Sequence, residues 1–197
     1  VAQLWRSSPL FKGGLRGVVF SVPSGNFGNL TAGLMAKRMG LPVARCIAAT
    51  NVNDVIPEYL ETAIFRPRPS IATLSNAMDV GNPSNFVRML AMYPAVEALR
   101  DDVVGIRVSE QETKDALESV LRDHHYQLDP HGAVGYVDLR RYLDENTEDQ
   151  GVFLETAHPA KFLDVELPAS LSECLSKTKK SISLPNRIDE LRAFLLK

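Results

Sequence analysis

The feature that most narrows what this chain can fold into is Val18–Gly33, where a strand-forming run meets a glycine-bearing turn and then a helix-forming run. Val18, Val19 and Phe20 favour an extended, buried strand. Pro23 has no N–H for a sheet ladder and so closes that strand. Gly25 and Gly28 are expected to give the turn backbone angles that a side chain forbids. Asn29 stands where a helix N-cap belongs, ahead of a run over Leu30–Met39 that Gly40 ends and Pro42 seals. Consecutive amides at such a junction converge on one point with the helix dipole behind them, which makes an anion site, and phosphate is the usual anion. A tight strand-to-helix connection without a ligand has the same composition. The spacing matches neither G-x-x-x-x-G-K-S/T nor G-x-G-x-x-G, and no lysine lies in the turn. A single phosphate monoester held by backbone therefore suits it better than a nucleotide.

The chain has 197 residues, 45% of them hydrophobic, which suffices for one core or for one domain with an appendage. A formal net charge of −2 gives no electrostatic case for nucleic acid or an anionic membrane. No apolar run approaches the roughly 18–20 residues of a membrane span, and the first residues lack a secretory layout. Cys46 and Cys174 are too few and too far apart for a disulfide framework, so a reducing, cytoplasmic setting is expected. Cys46 sits in an apolar strand and reads as a small buried hydrophobe. His124 and His125 would point apart on a helix, while His131 and His158 lack partners at ligand spacing, so no metal site is expected. Lys177, Lys179 and Lys180 read as a solvated basic patch.

Strands are expected at about 17–22, 43–49, 104–108 and 151–156, and helices at about 28–39, 53–61, 83–93, 109–123, 132–145 and 187–196. This alternation predicts an α/β fold, a parallel sheet with helices on both faces. Ser109 with Glu112 forms a capping box, and Asp129 or His131 is expected to cap the following helix. The run Arg66–Pro69 should be an irregular, exposed connection. Residues 1–15 read as a lead-in, 16–165 as the anion-binding α/β part, and 166–197 as a tail whose last helix must pack its apolar stripe on the body.

Several ordered stretches carry a family resemblance. SVPSGNFGNLTAG resembles the phosphate-cradling loop of the threonine synthases, pyridoxal-phosphate enzymes of the tryptophan-synthase-β-like fold (fold type II). GLPVARCIAATNVNDVIPEYL, TLSNAMDVGNPSNFVRML, DPHGAVGY and ETAHPAKF are similar to further segments of that family, in order, over about Arg16 to Leu163. The resemblance implies a partial fold-type-II large domain, the C-terminal half of a longer enzyme, that lacks the N-terminal half. It implies pyridoxal 5'-phosphate as cofactor, bound by Gly25, Asn26, Phe27, Gly28 and Asn29, with the Thr156 hydroxyl meeting the pyridine nitrogen. The implied reaction turns O-phosphohomoserine into threonine and phosphate.

Asn76, Ser84, Asn85 and Arg88 are the candidates for the substrate phosphate, arginine matching its oxygens geometrically. Asp79 either meets an ammonium group or orders its loop, and Asn53 reads as a helix cap. Phe27 reads equally as a core anchor, and Asn82-Pro83-Ser84 as a plain helix start. His131 and His158 read first as hydrogen-bonded loop supports. The family's Schiff-base lysine motif, G-P-T-x-x-F-K-D, is not in this sequence: Lys12 sits in LFKGG, and Lys161 reads as a solvated or anion-facing residue. No catalytic residue is therefore assigned. Two other readings stay open, a different fold-type-II enzyme such as a serine/threonine dehydratase and a non-catalytic binder of a phosphate ligand.

Overall fold

The computed structural model describes residues 18–158, 177–178 and 181–196. Residues 1–15, Lys12, Lys161, Cys174, Lys179 and Lys180, all singled out above, lie outside these. Four strands, β1 (Val18–Pro23), β2 (Val43–Thr50), β3 (Val103–Arg107) and β4 (Gln150–Phe153), form one parallel sheet in the order β3-β2-β1-β4. Parallel strands need long crossovers, and helices supply them. In chain order the helices are α1 (Gly28–Arg38), α2 (Val55–Thr62), α3 (Phe86–Met92), α4 (Val96–Asp102), α5 (Glu110–His124), α6 (Pro130–Glu145) and α7 (Ile188–Leu195).

Alternation along each strand divides the core in two. Phe20, Val22, Cys46 and Ala48 pack under α1–α4, against Leu30, Leu34, Ile56, Phe86 and Met89. Val19, Ile47, Ala49, Val104 and Ile106 turn to the opposite face, against Val134, Leu139 and Tyr142 of α6. Both faces being covered explains why the strands read as continuous apolar runs. Cys46 is buried, and its burial pushes the thiol up to about 11, so it behaves as a hydrophobe rather than a nucleophile. Among the described residues no helix is long and apolar enough to cross a membrane.

The structure departs from the sequence expectations at several points. The helix expected at 83–93 is shorter, Phe86–Met92, and a separate α4 follows it. The fourth strand ends at Phe153 rather than at 156. Asn53 does not cap α2; Asp54 takes that position without a side-chain bond. The last helix does not pack back on the body: α7 buries no residue, and Ile188 is 76% and Leu195 70% exposed. The capping box of Ser109 and Glu112 forms, and Asp129 caps α6 by accepting from the His131 amide.

Candidate functional site

After β1 the chain builds β2 and β3 to one side, then crosses back to lay β4 on the other side of β1. That reversal makes a crevice beyond the carboxyl ends of β1 and β4, where open parallel sheets bind ligands. The segments that leave the sheet there carry Gly25–Phe27 and Thr156.

The turn after β1 is built differently from its glycine pattern. Neither Gly25 nor Gly28 has a left-handed backbone; Phe27 does, with φ 59° and ψ 22°. Its ring is buried at 2% exposure among Leu30, Leu34 and Phe86, so the core holds a strained backbone in place. Gly25 is required by close approach instead, because a Cβ there would lie 2.6 Å from Met78 Cα and 2.7 Å from the Ala77 carbonyl oxygen. At Gly28 a Cβ would meet only Asn85 Nδ2, at an ordinary 3.6 Å. Asn29 is inside the first turn of α1 and is not its cap; Phe27 is, with no side-chain bond. The first amide of α1 with a helical acceptor is Thr31, 2.9 Å from the Phe27 carbonyl. The amides of Gly28, Asn29 and Leu30 thus have no acceptor within the helix. With Gly28 and Asn29 exposed and the dipole aligned behind them, they can take an anion.

Ser24 is committed elsewhere, its hydroxyl donating to the Val22 carbonyl at 2.8 Å. Asn26 joins the junction to the segment before α3. Its side-chain oxygen accepts from the Ser84 amide at 2.6 Å and hydroxyl at 3.0 Å, and its carbonyl accepts from Asn85 Nδ2 at 2.9 Å. Asn85 in turn accepts from the exposed Arg88 guanidinium at 3.1 Å. Asn76 opens a 3-10 turn, Asn76–Met78, whose backbone presses on Gly25 from the other side. The structure therefore brings Asn26, Ser84, Asn85 and Arg88 into one bonded group, with exposed Asn76 on the neighbouring turn. Thr156 stands three residues past β4, exposed, at the same end of the sheet.

The loop bearing Asn76 is ordered by buried polar groups. Asp79 Oδ1 accepts from Thr73 Oγ1 at 2.7 Å, Asn51 Nδ2 at 2.9 Å and Asn53 Nδ2 at 3.1 Å. Asp79 thus orders its loop, and Asn53 clamps that loop by accepting from the Ile71 amide at 2.8 Å. His131 supports the same loop: its Nε2 accepts from the Ala77 amide at 3.2 Å while its Nδ1–H donates to Asp129 at 2.6 Å. The Ala77 bond fixes that tautomer.

Two acids, the half-buried Glu155 and the buried Asp138, escape a reading of the sequence. Glu155 accepts from the Asp129 amide at 3.0 Å, and burial together with Asp129 pushes its carboxyl up to about 8. Burial works against ionising Asp129 too, but bonds from His131 and Glu155 outweigh it and hold that carboxyl down to about 2. Asp138 is wholly buried on α6, which pushes its carboxyl well up; Arg141 Nη1, 4.0 Å away, only partly counters this. Asp129 sits in a recognisable cap position, whereas Glu155 and Asp138 carry no local pattern that marks burial.

No family model matches the chain. It is 43% identical to the threonine synthase of Haemophilus influenzae over 191 residues, which cover 91% of this chain and 44% of that protein. Its fold matches the crystal structure of threonine synthase from Escherichia coli with a TM-score of 0.75 and 40% identity, over 92% of this chain and 44% of that one. It matches the PLP-bound threonine synthase of Brucella melitensis with a TM-score of 0.75 and 31% identity, over 98% and 48%. The chain spans less than half the length of these relatives.

Proposed function

We propose that this homologue of the threonine synthases is the phosphate-gripping part of a pyridoxal-phosphate enzyme that converts O-phosphohomoserine to threonine and inorganic phosphate. The carrying observation is the uncapped N-terminus of α1, set at the switch point of the sheet with the exposed amides of Gly28 and Asn29 free of helical acceptors. A phosphate monoester matches that donor set, and the backbone of Gly25–Asn29 would hold it while Phe27 anchors the turn in the core. The cofactor, when bound, supplies an electron sink for charge developing on substrate carbons, and the protein supplies position. Thr156 would offer its hydroxyl to the pyridine nitrogen. A hydroxyl cannot keep that nitrogen protonated as a carboxylate does, so the sink here is a mild one.

A second phosphate, on the substrate, suits the group beside the cradle. Arg88 would contribute a charge-assisted donor, with Ser84, Asn85 and Asn76 as neutral ones. Asn85 holds the guanidinium in place from within the same group. The sequence contains no G-P-T-x-x-F-K-D segment, so proton transfers at the substrate carbons would fall to a lysine outside it, and the chain by itself should be inactive. Its setting would be cytoplasmic, and residues 16–165 would form the cofactor-holding part.

Grafting tests the reading. Residues 18–158 would replace the corresponding stretch of the Escherichia coli enzyme, and phosphate release from O-phosphohomoserine would be followed. Activity lost on Arg88→Ala mainly through a raised KM supports the assignment. A folded, inactive graft that binds no pyridoxal phosphate overturns it.

A further inference from the structure

Among the described residues, two buried oxygen atoms near the crevice, Asp129 Oδ2 and Glu155 Oε2, meet no hydrogen-bond donor. They belong to residues already joined, since Glu155 Oε1 accepts from the Asp129 amide at 3.0 Å. Two ionised carboxylates so placed would repel and leave both orphan oxygens unsatisfied, whereas a single proton between them satisfies both. The surroundings make room for this pairing. Gly132, in the first turn of α6, is where a Cβ would lie 2.2 Å from Glu155 Oε2, so the absent side chain is the space the carboxyl fills. Glycine within a helix otherwise costs stability, and the carboxyl explains its presence.

Asp129 is the hub of the arrangement. It caps α6, and its Oδ1 receives both the amide and Nδ1–H of His131 at 2.7 and 2.6 Å. His131 passes the connection to the Ala77 amide, and Ala77 and Met78 press on Gly25. One line of contacts thus runs from the end of β4, through the start of α6 and the Asn76–Met78 turn, to the turn after β1.

We propose that Glu155 is a positioning residue that stays protonated at neutral pH and donates its proton to Asp129 Oδ2, locking the segment of Thr156 and the turn of Asn76 onto the start of α6. The inference deepens the proposed function and rests on it for the roles of Thr156 and Asn76. Burial and the Asp129 charge both disfavour ionisation of Glu155. Among the described residues, the titratable groups acting on it are Asp129, itself bonded to His131 at the start of α6, and Tyr126 just before that helix, and no lysine or arginine stabilises its charge. Raising the pH removes the shared proton, sets two negative charges side by side, and loosens the lock.

The test uses the full chain labelled with ¹³C in the glutamate carboxyl groups and ¹⁵N in the amides, titrated by NMR without cofactor. One glutamate is expected to titrate near 8, far above the ordinary 4.5, and to be missing from Glu155→Gln. The Ala77 and Thr156 amides should shift with the same midpoint in the unaltered chain. In Glu155→Gln they should stay at their low-pH positions, because the carboxamide donates as the protonated acid does. Asp129→Asn supplies its own N–H to Glu155 and removes the neighbouring charge, so that carboxyl should titrate lower than in the unaltered chain while burial still holds it above the ordinary value. Titration of every glutamate in the ordinary range overturns the shared proton. Amides at Ala77 and Thr156 that ignore the titration of Glu155 overturn its positioning role. Because no cofactor is present, a chain unable to bind pyridoxal phosphate would contradict the proposed function without altering this result.

Discussion

Phe27 shows how one residue trades two opposing effects. Its left-handed backbone costs an ordinary residue about 1–2 kcal/mol, whereas truncating a buried phenylalanine costs about 3–5 kcal/mol. Burial wins, so Phe27→Gly should lose about 2–3 kcal/mol in urea unfolding despite relieving the strain. An unchanged midpoint would mean the ring is not seated as described. The glycines divide differently from their spacing. Gly25→Ala drives a Cβ into the Met78 and Ala77 backbone and should cost about 1–3 kcal/mol while weakening anion binding. Gly28→Ala makes only an ordinary contact with Asn85 Nδ2 and improves helix propensity, so it should be neutral or raise stability by up to about 1 kcal/mol. The sequence showed that a glycine turn was needed, but not which residue would carry the unusual backbone angles. That choice follows from where the ring of Phe27 finds core, which local pattern does not encode.

At the scale of elements, the strand–helix alternation was legible because each segment declares itself through period and caps, as with Ser109 and Glu112 in α5. Ser109→Ala should cost about 1 kcal/mol by freeing an orphan amide, measurable in the thermal midpoint. The sequence pattern ends a helix at 93 and predicts none at α4, which is only seven residues long and runs straight into β3. Polar clusters that join distant segments were equally hidden; Glu155 meets the start of α6 only through the sheet. These clusters set the pH response. Glu155 rises from its ordinary 4.5 to about 8 on folding, so the folded state binds its proton more tightly than the unfolded chain. Its contribution is complete below about 4.5 and is lost as pH rises through about 8. Asp138 acts in the same sense. The melting temperature should therefore fall between pH 5 and pH 9, and fall less in Glu155→Gln; an equal slope in both proteins would remove Glu155 from the account.

At the scale of the whole molecule, β3 and β4 are the outer strands of the sheet with no further strand paired to them among the described residues, and α7 presents Ile188, Leu191 and Leu195 to solvent. Exposed apolar stripes and open edges recruit partners. Concentration-dependent self-association is expected by sedimentation, reduced by Leu191→Glu with Leu195→Glu; a monomer at all concentrations would deny that these faces are adhesive. The expectation that the last helix packs on the body failed because an apolar stripe states that a helix needs cover and not where the cover comes from. The proposed function requires that the turn after β1 grip the phosphate of pyridoxal phosphate without a lysine of its own. Adding pyridoxal phosphate to the purified chain, reducing with borohydride and weighing the intact protein tests it most directly. Saturable binding is expected, displaced by inorganic phosphate and weakened by Gly25→Ala, with no adduct at a defined site. A stoichiometric adduct on one lysine, or binding indifferent to phosphate, would contradict it.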